Sequence, residues 1–485
     1  MTCHFVEDSC LPLQPSGTLP ARQKNGDIAV HKETPDLSTG PELRPVHVSQ
    51  SPPQPQMPSP GRRRLLTASS VGVAGAAGFF GPWAHNHVWS QSAQAKPLVV
   101  GLTMDASGQY AASGGDERLG AMMAIREFND KGGVLGRRIE AMHMDTETTP
   151  ATGSRIAERM ISRNEAAFLI GAVHSGVANA ISQVAQKHGC IFLNTNSSSP
   201  TESGKDCHRV KFVWDGNGSN FAHAIVKNAM STSGRNWVLL TNDYVWGHNT
   251  AKATRTIVEA NGGRIVEELL VPQNTRDFSS YLLKLQQIKP NVVATAIGGD
   301  DIKALRQQVV QLGLQKNAAW INNQQDWPDV YGLGPEAIFG VFGTTWYYRL
   351  DLPGVKEFVA AYQKHFPGVA IRVPGNVFYN GYMATRELLR CVEEAGSTNN
   401  LAVIKKLEGR RMSARDRMQH HDAWIDADTH QCQQTVYMAS YNDSPAEKDD
   451  IFKILAHAAP QDAIDTDAAK ACKLESYDAT PSYEP

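Results

Sequence analysis

The chain is short of the patterns that most chemistry needs. Its seven cysteines, Cys3, Cys10, Cys190, Cys207, Cys391, Cys432 and Cys472, form no C-x-x-C pair and no finger spacing, which excludes a zinc-finger module. Neither sign of charge is in excess. Lys and Arg number 47 against 49 Asp and Glu, a net charge of -2, so there is no electrostatic footprint for nucleic acid. The G-x-S-x-G elbow, the H-E-x-x-H zinc pair and the G-x-x-x-x-G-K phosphate loop are all absent. Serine-hydrolase, zinc-protease and nucleotide-hydrolase chemistry thereby lose their usual carriers. His420-His421-Asp422 with His430 and Cys432 matches no standard metal spacing and reads as a turn between strands. The chain is therefore expected to be no enzyme and to need no metal or cofactor.

What is present is an ordinary globular composition, 41% hydrophobic and 20% charged over 485 residues, enough for two or three domains. From Gly61 the sequence runs GRRRLLTASSVGVAGAAGFFGPWAHNHVWSQSAQAK. An arginine triplet, a short small-apolar stretch and Ala93-Gln94-Ala95 have the order of an export signal with its cleavage site. The arginines give it a twin-arginine character, and the apolar run falls short of the roughly 20 residues that span a bilayer. Residues 1–56 are rich in Pro, Ser and Gln and are expected to be a disordered extension or an overcalled start, with translation beginning at Met57. A mature protein starting near Lys96 is expected in the periplasm. It keeps five cysteines, from which at most two disulfides can form, with the pairing open.

Beyond Lys96 short β-rich runs alternate with amphipathic segments. PLVVGLTM, RRIEAMHMD, AAFLIGAV and CIFLNTN read as strands, separated by helices over 119–129, 151–163 and 178–188. After a seam the rhythm repeats: NWVLLTND, RIVEELLVP and NVVATAIGG are strands, with helices over 248–261, 279–288 and 301–312. Two doubly wound parallel sheets in tandem follow, an α/β fold of two lobes. Further helices are expected over 376–394 and 399–407, and no strong element after Ile454.

Ligands of open parallel sheets bind beyond the carboxyl ends of the strands, so those ends carry the candidate site. AAFLIGAV runs into His174-Ser175-Gly176 ahead of a helix, where Ser175 is either a ligand hydroxyl beside free N–H groups or a plain N-cap. CIFLNTN runs into Ser197-Ser198-Ser199, three hydroxyls at one strand end or a serine-rich turn. In the second half, Tyr244-Val245-Trp246 and Asp300-Asp301 follow successive strands; Trp246 offers a wall and Asp300 a counter-charge, unless the aspartates only cap a helix. Tyr110 sits in a Gly/Ser-rich loop, 106–115, after the first strand.

Taken in order, GLTMDASGQYA, AIREFNDKGGVLGRRIE, LIGAVHSGVANAI, FLNTNSSSP, LLTNDYVWGHNTAKATRTIVEANGG and LRQQVVQLGL resemble the leucine/isoleucine/valine-type (type I) periplasmic solute-binding proteins of ABC importers, from about Pro97 to Asp443. The resemblance implies two lobes joined by crossovers near 214–216, 343–346 and 418–422. It divides the chain into lobe 1 (96–215 plus 345–420), lobe 2 (216–344 plus 421–456) and a poorly structured tail (457–485). It implies that Ser175, Ser197 and Ser199 hold an amino acid's carboxylate and amine. In amino-acid binders the loop matching 322–326 supplies a carboxylate to the ligand's ammonium; here it reads NNQQD, with Gln324 or Gln325 where Glu would stand. The ammonium would then fall to Asp300 or Asp326, or the solute is another carboxylate, an amide or a urea. The implied partners are a small solute and an inner-membrane permease, with the protein a monomer. The alternative is a ligand sensor of the same fold that regulates an enzyme or signalling partner.

Overall fold

A computed structural model describes residues 95–485; the extension and export signal read from the sequence lie outside the described residues. Five parallel strands form the first sheet: β1 (Leu98–Leu102), β2 (Ile139–His143), β3 (Phe168–Gly171), β4 (Ile191–Asn194) and β5 (Lys211–Val213), in the order β2-β1-β3-β4-β5. The central β1, β3 and β4 are short apolar runs buried on both faces, as a sheet covered by helices on both sides demands. The second sheet holds β6 (Asn236–Asn242), β7 (Arg264–Val271), β8 (Val292–Ala296), β9 (Ala319–Asn322) and β10 (Val341–Thr344) in parallel.

A small antiparallel sheet, β11 (Arg411–Met412), β12 (Ala423–Ile425) and β13 (Cys432–Gln433), intervenes before the chain returns. The second sheet is then completed by antiparallel β14 (Val436–Tyr441) and β15 (Phe452–Ala458), giving the order β15-β14-β10-β9-β8-β6-β7. Strand order reverses between β1 and β3 in one sheet and between β6 and β8 in the other. These are the switch points at which crevices open in doubly wound sheets.

Alternation along β6 shows how the second lobe fills. Val238 and Leu240 enter a cluster with Leu269, Phe278 and Ile302 on one face. Trp237 and Leu239 enter another with Val226, Val258 and Val292 on the other. One helix of this lobe, Gly218–Ser233, has no counterpart among the helices expected from the sequence. Its start is set by Asn217, whose side chain accepts the Ser219 and Asn220 N–H groups while the Asn220 side chain accepts from the Asn217 N–H.

Two expected boundaries are corrected. Residues 423–433, expected in lobe 2, belong to the small sheet, which meets the first sheet where Val213 bridges Gln431 and the Val213 N–H donates to the His430 carbonyl at 3.0 Å. The chain crosses to the second sheet only at Gln434–Thr435, just before β14. The tail, expected to lack structure, is bound to lobe 1. Cys207 and Cys472 form a disulfide, Glu475 accepts the Arg209 N–H and contacts His208 at 2.7 Å, and the Tyr483 hydroxyl donates to the Ala166 carbonyl at 2.9 Å. Gly189, at φ +76°, has the Pro481 carbonyl where a Cβ would stand. Such a tail is held by a covalent bond and hydrogen bonds, so it shows no apolar period.

Candidate functional site: a cleft between the two sheets

The loops that follow β1, β3 and β4 face those that follow β6, β8 and β9. Tyr110 comes from the first, Val173 from the second, and Asn196 and Ser198 from the third. Opposite stand Tyr244, Trp246, Gly298, Gln324, Asp326 and Asp329, and the space these groups leave is about 20 Å³, close to what a single water needs. Across it the lobes are hydrogen-bonded directly. The Tyr110 and Tyr244 hydroxyls lie 2.6 Å apart, Ser198 donates to Gln324 Oε1 at 2.5 Å, and Asn196 donates to Asp326 at 3.3 Å. Gln109 donates to Asp301 at 3.0 Å and to the Gly298 carbonyl at 3.1 Å. These lobes are closed on each other through polar side chains.

Tyr110 does not belong to a long Gly/Ser loop as expected. It precedes a helix, Ala111–Asp130, that contains both Gly114 and Gly115. A Cβ on Gly114 would sit 2.2 Å from the Asp105 carbonyl oxygen, so the glycine lets the helix start directly over the end of β1 and aims Tyr110 across the cleft. On the next loop His174, not Ser175, caps the helix Ser175–His188: its Nδ1 accepts the Val177 N–H at 3.3 Å. Its ring stacks on Tyr244 at 4.5 Å, and burial lowers its pKa to about 4, leaving the imidazole neutral.

The cleft is walled by rings and by carboxylates. Trp246 is buried, and its indole N–H has no partner among the described residues. Asp326 accepts from Asn376 at 2.9 Å and from Gln324 at 3.3 Å, besides Asn196, so its hydrogen-bond donors are neutral amides. Burial raises its pKa despite those three donors. Asp329 accepts the Gly299 N–H on Oδ2 at 2.9 Å, while Oδ1 has no partner among the described residues; burial and then the Asp326 charge raise its pKa too.

Of the residues expected from the sequence, Tyr110, Ser198, Trp246 and Gln324 line this cavity. Ser175, Ser197 and Ser199 do not. They are buried behind it around Glu202: Ser197 Oγ donates to the Glu202 carboxylate and lies 2.9 Å from Ser175 Oγ, the Ser199 N–H reaches it at 3.4 Å, and Asn194 donates to its other oxygen. Asp300 is also elsewhere. It lies on the surface between Arg276 and Lys303, each at 3.3 Å, while its neighbour Asp301 is the buried one. A carboxylate one position along a helix points about 100° away, and the pair DD gives no sign of which faces inward. Asp329, missed in the sequence, lies beyond the end of β9 on a short turn of helix, Trp327–Val330; only its position in NNQQDWPD marks it.

The periplasmic binding protein family model matches residues 97–447. The chain belongs to the type I periplasmic binding protein family. Curated relatives include the Leu/Ile/Val-binding protein BraC3 of Rhizobium johnstonii, 24% identical over 313 residues, which are 63% of this chain and 82% of that protein. Leu/Ile/Val-binding protein homolog 7 of Brucella abortus is 28% identical over 287 residues, 56% of this chain and 71% of that protein. Among solved structures, a periplasmic binding protein from Burkholderia mallei superposes with a TM-score of 0.71 at 23% identity, covering 78% of this chain and 98% of that one. A solute-binding protein of Rhodopseudomonas palustris in complex with 3,4-dihydroxybenzoic acid gives 0.68 at 20% identity, covering 75% and 98%. At such identities the structural likeness is one of fold.

Proposed function

We propose that this periplasmic binding protein is the exported substrate-binding component of an ABC importer, capturing a small polar solute between its lobes and passing it to a permease. The observation that carries the reading is the cavity itself. Six strand ends from two sheets converge on it, and its side chains bond across the gap where a solute could intervene. Closure of two such lobes about a hinge is a known response to ligand. The reading involves no chemical step, only capture and release, and no second copy of the chain.

A thermal-shift screen of amino acids, amines, aromatic acids and amides tests it. At a hundredfold excess over Kd a genuine solute adds about 2.7 kcal/mol of stability. Trp246→Ala is expected to weaken that solute at least tenfold by removing the largest ring on the cavity wall. Asp300→Ala, on the outer surface, is expected to leave affinity within about twofold. If no solute stabilises the protein and one is instead consumed by it, the receptor reading fails.

A further inference from the structure

The seat that the resemblance assigns to a ligand carboxylate is occupied by the chain itself. Glu202 is fully buried, and the Ser175, Ser197 and Ser199 groups that could receive an incoming carboxylate are gathered around its own oxygens. No Lys, Arg or His among the described residues lines the cavity to take over that role. Neither Lys303, paired with Asp300, nor Arg306, bonded to Gln325 and the Ala337 and Phe339 carbonyls, lines the cavity, although both attract Asp329 from a distance.

The opposite charge has a seat prepared. Asp326 and Asp329 are both buried on the cavity wall, and neither is in a salt bridge among the described residues. The Oδ1 atom of Asp329, a residue 2% exposed, has no hydrogen-bond partner there. A buried acceptor left unpaired costs about 1–3 kcal/mol, more when charged, and a donor arriving with the ligand relieves that cost. Tyr110, Tyr244 and Trp246 stand on the same wall, and aromatic faces attract organic cations.

Resting on the solute-capture reading above, we infer that the cleft selects a small organic cation, a primary alkyl- or arylalkylamine that carries no carboxylate. Its ammonium sits on Asp329 Oδ1 and Asp326, replacing the missing donor, and its short apolar part lies against the three rings. A carboxylate-bearing solute meets Asp326 and Asp329 with no cation lining the cavity to receive it. Amino acids and aromatic acids bind more weakly, because their carboxylate finds no partner in the cleft.

The test is titration calorimetry on the full exported chain at pH 7.5 with ethylamine, butylamine and benzylamine, set against leucine, benzoate and acetamide. At least one amine is expected to bind, and the acids to bind at least tenfold more weakly. Asp329→Asn, which keeps the Gly299 hydrogen bond, is expected to cost that amine tenfold or more. Competition between amine and acid on the unmodified protein decides the same question should the variant not fold. Binding of leucine, benzoate or acetamide in preference to every amine overturns the cation inference and leaves solute capture standing. Binding by none of the six overturns the cation inference, and failure of the wider screen as well removes the capture reading with it.

Discussion

The folded protein without solute is expected to lose stability steadily as the pH rises from 5 to 8. Burial pushes Asp105 up to about 6, Asp116 up to about 7 and Asp215 up to about 8, against ordinary carboxylate values near 4. In the unfolded chain all three have ionised by pH 5, while the folded chain still holds their protons. Raised carboxyls of this kind stabilise the fold at low pH, and that contribution disappears as the pH climbs through each folded value. His174 acts in the opposite sense. Its pKa is lowered to about 4, so its contribution is complete above the ordinary histidine value and is recovered between pH 5 and 7, at most about 2 kcal/mol. Asp301 and Asp329 are raised in the same sense, so the net change is a fall of at least about 5 kcal/mol between pH 5 and pH 8. Urea denaturation at unit steps of pH measures it. Asp215→Asn is expected to flatten the upper part of the curve, and stability that stays level or rises across the range would mean the three groups are ionised in the fold.

Loss of the Cys207–Cys472 disulfide has the next largest expected effect. The bond joins residues 265 positions apart and fixes the helix Thr466–Ala471 and the final stretch of tail against lobe 1. Removing it by Cys207→Ser is expected to cost about 2–4 kcal/mol, the usual range for a native bridge. The damage is also local: with the covalent tie gone, Glu475, Thr480 and Tyr483 must hold through hydrogen bonds alone. Trypsin is then expected to cut at Lys470 or Lys473 well before it attacks the lobes. A reduced wild-type protein must behave like the variant; a tail equally protected in both states would show that the bridge adds nothing to its docking.

The regular part of the molecule was legible in the sequence because each βαβ unit announces itself twice, by an apolar strand and by an amphipathic helix. The expected helix over 279–288 is the observed one, and the helices expected over 376–394 and 301–312 shift by one or two residues at their ends. The helix Gly218–Ser233 escaped because it begins Gly-Ser-Asn, residues with weak helical preference that favour caps and turns. The strand-end rule pointed to the loops that bring Tyr110, Ser198 and Trp246 to the cavity wall, and the family resemblance pointed to Gln324. What it could not supply was the direction of side chains within a loop. Ser197 and Ser198 are neighbours, yet one faces Glu202 and the other the cavity. The role of Glu202 was equally hidden, since a lone Glu in TESGKD reads as a surface residue until the serines are seen turned toward it.

Gln324 is also a mechanical coupling. Its amide reaches three carboxyl or hydroxyl partners: Ser198 on the opposite lobe, Asp326 beside it, and Asp215 at 3.0 Å. Asp215 lies on the first strand passing between the lobes and accepts from Thr345 on the second at 3.0 Å, while Gln431, just before the third, donates to its carbonyl at 2.6 Å. One side chain therefore joins the solute wall to all three segments on which the lobes turn. On the capture reading proposed above, a solute that takes Ser198 away from Gln324 alters the load on Asp215 at the same moment, so occupancy reaches the crossover segments through one side chain. On the same reading, a permease in contact with the outer faces senses the filled cleft through the angle that these segments set.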